Sequence, residues 1–275
     1  MTTRTPLIGP ADDGDLLHVM SLNVRCANDG TAPGDPDHWP ERAPLVTELL
    51  ALEQPTILGV QEARFEQLGA VADGLGRHHR WVGYGRDGGA AGEHAAIFYD
   101  ARRLTLTWWD QYWLSDTPRV IGSTWGHEYP RVVTWARFRD ERTGADLLHV
   151  NTHLDHESAE ARLRGARVVR DQVADAGLPA LFTGDCNAAA GDSAPYDALV
   201  TDGGLVDTWR AAGERLTPET GTFPDYGEPV PGGDRIDWVL ATPGAEVLAA
   251  AINPWTSGGR SPSDHLPVQA LLRLG

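Results

Sequence analysis

The chain contains no lysine, so all 23 of its Lys and Arg positions are arginine, against 39 aspartates and glutamates and a formal net charge of -16. Contacts from basic side chains to phosphates supply most of the non-specific affinity of proteins for nucleic acid. This composition therefore argues against a nuclease that scans DNA, although a local basic groove would still allow nucleic acid as a partner. A small phosphate substrate that binds together with a metal ion suits the charge better.

Cysteine is also scarce, with only Cys26 and Cys186. Two residues do not support a disulfide framework, and two buried reduced thiols are the simplest interpretation. Residues 1–15 are polar and lack the charged and then apolar layout of a secretory signal. No apolar run approaches the length of about 20 residues that a membrane-spanning helix needs. We therefore expect a cytoplasmic protein without a membrane span.

Segments with strand or helix periodicity follow one another from residue 16 onward, and no linker divides them. Helices are predicted over 41–53, 65–75 and 158–176, with a short one near 196–201. Strands are predicted over 16–25, 56–60, 81–84, 95–99, 104–114, 131–139, 147–154, 179–182, 236–241, 247–252 and 266–272. This mixture favours two β-sheets packed face to face with helices outside. We expect a flexible tail over 1–15 and a single domain over 16–275.

Five short motifs rich in acids, amides and histidine lie at the ends of predicted strands. They are Ser21-Leu22-Asn23-Val24-Arg25, Gly59-Val60-Gln61-Glu62, Asn151-Thr152-His153-Leu154, Gly184-Asp185-Cys186-Asn187 and Ser263-Asp264-His265. Polar groups are costly at buried strand ends unless they converge on something charged. Asn, Glu, Asp and His that meet in one pocket form an oxygen-rich site for a hard divalent cation, with histidines beside it for hydrolysis.

Four residues of the first, second and fourth motifs are candidates for this site. Asp185 and Asn187 are two residues apart, so both side chains of an extended segment reach the same ligand. A turn rich in Asx residues is the alternative there. Glu62 directly follows a buried strand and needs a cation or an arginine partner. Asn23 has the same placement on the first strand, where the backbone could satisfy its amide instead.

The remaining candidates lie around two histidines. Adjacent residues of a strand point to opposite faces, so Asp264 and His265 enter one pocket only where the backbone turns. Asp264 would then offer a carboxylate, and His265 a base or a positive charge; a strand-capping pair is the alternative. Asp237 could orient an imidazole, as an aspartate does in a serine-hydrolase triad. Glu93 could hold a histidine by a hydrogen bond. His153 closes a strand, where a lone histidine is usually structural.

In their order and spacing, the motifs resemble the endonuclease/exonuclease/phosphatase superfamily, and the likeness extends from residue 16 to residue 274. That superfamily includes pancreatic-type deoxyribonuclease, abasic-site endonucleases, neutral sphingomyelinases, inositol-polyphosphate 5-phosphatases and polyA deadenylases. The resemblance implies an α/β fold, a four-layered sandwich of two packed mixed β-sheets flanked by helices. Segments 112–115 and 128–138 resemble a bacterial subgroup of undefined substrate.

The resemblance also implies roles for the acidic and amide candidates. Glu62 would be the main Mg²⁺ ligand with Asn23 close by, and Asp264 would be a second ligand or a support. Asp185 and Asn187 would position the attacking water and the phosphate.

The basic candidates receive roles in the same way. His265, oriented by Asp237, would contact a phosphoryl oxygen or act as base. His153, oriented by Glu93, would stabilise the phosphate or assist the leaving group. Arg131 is a candidate substrate contact, with an exposed arginine at the start of a strand as the alternative.

The implied function is a Mg²⁺-dependent hydrolase, with Mn²⁺ as an alternative ion, that cleaves a phosphate ester by in-line attack of water. The acidic composition favours a small or medium phosphorylated substrate. A nuclease of the same fold, either a DNA endonuclease or an RNA 3′-exonuclease, is the alternative. A non-catalytic binding module would have lost some ligands, whereas all the expected positions are filled here. The sequence leaves open the substrate, monoester or diester chemistry, the number of metal ions, the general base and the oligomeric state.

Overall fold

The computed structural model describes residues 5–11 and 14–275. Residues 1–4 and 12–13, which belong to the predicted flexible tail, lie outside the described residues. Within the rest of that tail, the backbone N–H groups of Leu7, Ile8 and Gly9 donate to the carboxylate of Glu53 at 2.8 to 3.2 Å. This segment is therefore held against the end of a helix.

Thirteen strands of the described residues form two mixed sheets. The first sheet contains β1 Leu17–Asn23, β2 Ile57–Gln61, β3 His79–Val82, β4 Ile97–Asp100, β10 Glu214–Arg215, β12 Glu246–Ile252 and β13 Val268–Arg273. Its spatial order is β10-β12-β13-β1-β2-β4-β3. The second sheet contains β5 Leu104–Trp113, β6 Val132–Asp140, β7 Asp146–His153, β8 Ala180–Asp185, β9 Val206–Asp207 and β11 Asp237–Ala241. Its order is β5-β6-β7-β8-β11-β9.

The helices of the described residues are α1 Trp39–Glu53, α2 Leu68–Leu75, α3 Ala159–Ala176, α4 Ala194–Tyr196 and α5 Thr208–Ala211. A 3₁₀ turn over Phe65–Gln67 precedes α2, and a π turn over Asp197–Thr201 follows α4. The first helix starts two residues before its predicted boundary, because Pro40 fits the first turn, where its missing N–H costs nothing. The longest helix starts at the N-cap Ser158, whose hydroxyl accepts from the backbone N–H of Ala161 at 3.2 Å.

Apolar side chains divide the fold into four layers, as the resemblance implies. Leu50 of α1 packs with Leu58 on the outer face of the first sheet. Val169 of α3 packs with Phe182 on the outer face of the second. The layer between the sheets contains side chains of both, among them Leu17, Val19, Ile57, Ile97, Phe138, Leu147, Leu181, Val239 and Val268. The α/β sandwich of two mixed sheets flanked by helices is thus confirmed.

Two smaller predictions also meet the structure. Both cysteines are free thiols; Cys186 is buried as predicted, whereas Cys26 is only half-buried. No helix of the described residues is long and apolar enough to cross a membrane.

Strand register brings the polar motifs to corresponding strand ends. The parallel strands β1 and β2 pair Asn23 with Gln61. The parallel strands β7 and β8 pair His153 with Asp185, and the antiparallel β11 sets Asp237 beside Asp185. The carboxyl ends of parallel strands share one edge of a sheet. Each sheet therefore presents one group of polar residues at one edge.

A buried polar network joins the two sheets below these ends. Asn151 of β7 donates to the backbone oxygen atoms of Val60 and Ala96 at 2.9 and 3.0 Å. Its Oδ1 accepts from Gln61 at 2.8 Å and from Thr183 at 3.0 Å. Asn151 and Gln61, which belong to the polar motifs, thus hold the sheets together rather than face a ligand.

The network leaves no room for a side chain at Gly59, and Gly59→Ala is expected to lower the free energy of unfolding by about 3 kcal/mol. A Cβ atom there would lie 2.5 Å from Asn151 Oδ1 and still closer to Thr183 Oγ1. Urea unfolding measures the change. Gly69→Ala is the matched control, because a Cβ at that helical position meets nothing within 4 Å. A Gly59→Ala protein as stable as the control would contradict this role.

His149 extends the network, and its burial is expected to make the folded protein less stable in acid. Its Nε2 lies 2.9 Å from Thr183 Oγ1, and complete burial lowers the pKa of His149 to about 3. Since an unfolded histidine titrates near 6.5, the unfolded chain takes up a proton that the folded chain excludes. Stability is therefore full above about pH 6.5 and falls as the pH drops, by about 2–3 kcal/mol at pH 4.5 from this group. Urea titrations of the wild type and His149→Gln, above about pH 6.5 and at about pH 4.5, should show that the variant loses less stability in acid. Equal losses in both proteins would contradict this role of His149.

Candidate active site

The polar ends of both sheets open into one cavity of about 440 Å³. Its wall contains eight of the ten predicted site residues, which are Glu62, Glu93, Arg131, His153, Asp185, Asn187, Asp264 and His265. Asn23 and Asp237 are buried and hydrogen-bonded to residues of that wall. Residues numbered from 23 to 265 therefore meet at one place, as the motifs predict.

Three residues of the site have left-handed backbone conformations. They are Arg25, Glu62 and Asn187, with φ angles of 55°, 61° and 48°. Such angles are uncommon outside glycine and are kept where the surrounding structure holds them. Arg25 and Glu62 follow the ends of β1 and β2, and Asn187 follows β8. The chain thus turns sharply at each strand end.

Asn23 lies at the centre of the acidic residues. Its Nδ2 is 2.9 Å from both Glu62 Oε1 and Asp185 Oδ2, and its Oδ1 accepts from the backbone N–H of Arg25 at 2.9 Å. The amide thus presents its nitrogen to the two carboxylates. In this orientation Asn23 positions the carboxylates, and its predicted place beside the metal ion stays a prediction.

Arg25 lies between two of the carboxylates. Its guanidinium nitrogen atoms are 3.9 Å from Glu62 Oε2 and 3.6 Å from Asp264 Oδ2. Burial works to raise the pKa of Glu62, but the hydrogen bond from Asn23 and the charge of His265 outweigh it and lower the pKa. Burial raises the pKa of Asp264. Glu62 is therefore the more readily ionised of these two acids.

His265 is held from behind by Asp237. Its Nδ1 lies 2.9 Å from Asp237 Oδ2, and its Nε2 lies 3.7 Å from Asp185 Oδ2. Both Asp264 and His265 reach the site because the chain bends there and the last strand begins only at Val268. Burial works to lower the pKa of His265, but the charges of Asp237 and Asp185 outweigh it and raise the pKa to about 10. The imidazole is thus a positive charge among the acids.

His153 and Asn187 form the next part of the wall. His153 Nε2 lies 3.0 Å from Asn187 Nδ2 and 3.4 Å from Asp185 Oδ2. Asn187 Nδ2 also donates to the backbone oxygen of Leu154 at 3.0 Å. Burial and then the charge of Arg131 lower the pKa of His153. A neutral ring that accepts from Asn187 at Nε2 carries its proton on Nδ1.

The prediction that Glu93 orients His153 is wrong. Glu93 Oε2 instead accepts from Arg86 Nη1 at 2.8 Å, and His153 Nδ1 has no partner among the described residues. An arginine offers a carboxylate a stronger, charge-assisted hydrogen bond than a neutral imidazole does. Burial raises the pKa of Glu93 despite this arginine.

Asp185 connects the two sides of the site. Its Oδ2 faces Asn23, His153 and His265, and its Oδ1 accepts from the backbone N–H of Asn187 at 3.0 Å. Burial, and then the charge of Asp237, raises the pKa of Asp185 to about 7. A carboxylate with this affinity for protons is suited to hold a proton or a cation.

The donor atoms at this place fit a divalent cation. Glu62, His153 and Asp185 offer ligand atoms within 4.8 Å of one another, as do Asp185, Asp237 and His265. Carboxylate oxygens are the ligands that Mg²⁺ prefers, completed by water and substrate oxygens. Asp264 belongs to neither group. Glu62 and Asp185 are thus better placed than Asp264 to bind one ion together.

The sequence patterns gave no site role to seven residues of the cavity wall, namely Arg25, Cys26, Arg86, Tyr129, His156, Phe223 and Ile236. Arg25 belongs to the first motif, two residues after Asn23, and that spacing is the one signal that could have indicated it. Arg86 lies in a glycine-rich loop without a motif. The structure also places Arg131 in the wall, where it is buried rather than exposed at the start of a strand.

Comparison with known proteins places this geometry in a family. Residues 20–265 match the model of the Endonuclease/Exonuclease/phosphatase family. A member of that family from Bacteroides thetaiotaomicron has a similar solved structure, with 32% sequence identity, a TM-score of 0.87 and 94% of each chain covered. A mannosyl-6-phosphatase of the same species is 31% identical with a TM-score of 0.85, over 93% of this chain and 99% of that chain.

More distant structures share the fold alone. The catalytic domain of human nocturnin, solved with a bound sulfate, has 16% identity and a TM-score of 0.68, with 100% of both chains covered. Among curated proteins, no match was found. Because the family model spans most of the sequence, the chain belongs to the endonuclease/exonuclease/phosphatase family, whose members are metal-dependent hydrolases that act on phosphoester bonds.

Proposed function

We propose that the chain is a Mg²⁺-dependent hydrolase of small phosphorylated compounds, with water attacking phosphorus in line with the leaving oxygen. The observation that supports this best is the convergence of Glu62, His153, Asp185 and His265 on one cavity. Carboxylates and imidazoles in contact are the groups that metal-assisted ester hydrolysis requires.

Each side chain has a place in this proposal that follows from its contacts. Glu62 and Asp185 would hold the ion, which when bound neutralises charge on the phosphoryl oxygens. Asp185 and Asn187 position the attacking water, and Asp185 takes up its proton. His265, held by Asp237, donates a hydrogen bond from Nε2 to a phosphoryl oxygen as negative charge develops there.

The second histidine is assigned to the other end of the reaction. His153 lines the cavity, and its Nε2 lies 3.0 Å from Asn187 Nδ2, so it is placed to assist the departing oxygen. It carries this role without Glu93, which is engaged by Arg86.

Three observations favour a small substrate over a nucleic acid. The net charge of -16 disfavours a polyanion that must lie along the surface. One of the similar structures is named a mannosyl-6-phosphatase, with 31% identity over nearly the whole chain. A phosphorylated sugar also suits a cavity of about 440 Å³.

Metal binding tests this proposal directly. Mg²⁺ or Mn²⁺ at 100 times its Kd is expected to raise Tm by about 5 °C and to support hydrolysis of phosphate esters. Glu62→Gln should lose both effects, because a neutral amide replaces a ligand carboxylate. Glu141→Gln, which changes an exposed acid outside the cavity, is the control.

A panel of sugar phosphates, diesters and single-stranded DNA and RNA identifies the substrate class. Turnover confined to nucleic acid would overturn the small-substrate assignment, and turnover without a divalent ion would overturn the mechanism.

A further inference from the structure

We propose that Arg86 and Arg131, which line the cavity, form an anion site that selects phosphate monoesters over diesters. This inference rests on the proposed hydrolase function and names its substrate class. Arg86 has no role in that reaction so far, and Arg131 is only a candidate contact.

Arg131 is buried without being fully partnered. Its side chain is 5% exposed, and its Nη2 lies 2.9 Å from His156 Nδ1. Its Nε is 3.7 Å from Asp155 Oδ2, too far for a hydrogen bond, and has no hydrogen-bond partner among the described residues. Asp155 Oδ1 is already engaged by the backbone N–H groups of Glu157 and Ser158. A buried guanidinium in this state has donor capacity left for a ligand.

Arg86, which lies in the same cavity wall, also has a side chain that is only partly hydrogen-bonded. One nitrogen, Nη1, donates to Glu93, while its Nε is buried without a hydrogen-bond partner among the described residues. Its guanidinium carbon lies 4.9 Å from the ring centroid of Tyr129. The backbone oxygen of Arg86 accepts from Trp113 Nε1 at 2.7 Å. The loop and the side chain are thus held in place before a ligand arrives.

The two neighbouring positive charges favour the binding of an anion. Burial lowers the pKa of Arg131. The charge of Glu93 opposes this shift, the charge of Arg86 adds to it, and the charges of Asp155 and Asp185 oppose it more weakly. The two cations repel each other in the cavity wall, and the charge of Glu93 interacts with both of them. A doubly charged phosphate that reaches both would relieve this repulsion, since arginine binds phosphate oxygens in a bidentate manner.

Only a monoester can use such a site fully. A monoester has three non-bridging oxygens and a charge near -2 at neutral pH, whereas a diester has two such oxygens and a single charge. The proposed reaction engages oxygens at the side of Glu62 and His265. The extra terminal oxygen of a monoester is the one left for Arg86 and Arg131, and an esterified oxygen there would bring an uncharged group against two cations.

The test compares two substrates with the same leaving group, p-nitrophenyl phosphate and methyl p-nitrophenyl phosphate, in the presence of Mg²⁺ or Mn²⁺. Arg86→Gln and Arg131→Gln are expected to lower kcat/KM for the monoester by about 10- to 100-fold, the usual loss of a charge-assisted hydrogen bond. The diester rate should stay within about threefold. Arg86→Lys should lose less, because it keeps the charge. Arg119→Gln is the matched control, since its side chain is 69% exposed and pairs with Asp110.

Binding of inorganic phosphate, measured by calorimetry, separates this inference from the proposed function. Phosphate should bind about tenfold more weakly to Arg86→Gln than to the wild type. Arg86 is less buried than Arg131, so this variant carries the test if Arg131→Gln does not fold. Equal losses on both substrates, or unchanged phosphate binding, would overturn the anion site. Inactivity of the wild type on both substrates, with phosphate still bound through the arginines, would instead overturn the hydrolase function.

Discussion

Asp185→Asn is expected to lower kcat by about 10³-fold or more. The substitution keeps the shape of the side chain but removes a negative charge that faces Asn23, His153 and His265. It also sets an amide group between two donors, Asn23 Nδ2 and the backbone N–H of Asn187. One of those two hydrogen bonds is therefore lost in either orientation of the new amide, and the proton acceptor of the proposed reaction is absent.

Single-turnover kinetics with saturating Mg²⁺ measure this loss apart from substrate binding. The matched control is Asp207→Asn, because Asp207 is also buried and hydrogen-bonded to Trp209 and Arg235 but lies outside the cavity. That control should lose stability and retain kcat. Substantial activity in Asp185→Asn would mean that the centre of the site is wrongly assigned.

Asp237→Asn is expected to reduce kcat by about 10²–10³-fold while KM changes little. Asp237 Oδ2 accepts from His265 Nδ1 at 2.9 Å and is buried behind the cavity wall, so it acts on the reaction through the imidazole. An amide can still accept that hydrogen bond but no longer supplies the charge that keeps the ring protonated. The positive charge beside the phosphoryl oxygens would then be lost.

A double-mutant cycle with His265→Gln identifies this positioning role. If Asp237 acts through His265, the double variant should have nearly the same kcat as His265→Gln alone. Fully multiplicative losses would show that the aspartate acts independently. The pH profile adds a second readout. As the pH rises, the Asp237→Asn enzyme should lose activity at a lower pH than the wild type, because its imidazole gives up the proton more easily.

The fold could be predicted from the sequence because its elements have strong local patterns. The apolar alternation of β6 and the one-sided apolar face of α3 are visible without coordinates. The boundaries differed where a cap or a turn decided them, as at Pro40 of α1. The short elements β9, α5 and β10 lie between the helix predicted near 196–201 and the strand predicted over 236–241, where no element was predicted. They have two to four residues each, which is too little sequence for a period.

The residues that meet in the cavity were predictable to a similar extent, and the predictions that were wrong have identifiable reasons. The placement of Glu62 and Asp185 at strand ends follows from the length of the preceding apolar runs. The partner of Glu93 does not, because Arg86 reaches it across a loop whose conformation no periodicity indicates. Asn151 carries the same signal as Asn23, yet it joins the sheets. A residue type alone does not tell a ligand from a buried structural amide.

The sequence by itself determined which acids, amides and histidines lie at the ends of buried strands, where each needs a polar or charged partner whatever the arrangement of the strands. It also determined the sandwich, since two sets of apolar strands must bury their faces against each other. Tertiary structure alone decided that Arg25 lies between two acids and that Arg86 and Arg131 line the same cavity. Those contacts depend on left-handed turns and on the packing of distant strands, and neither leaves a local pattern in the chain.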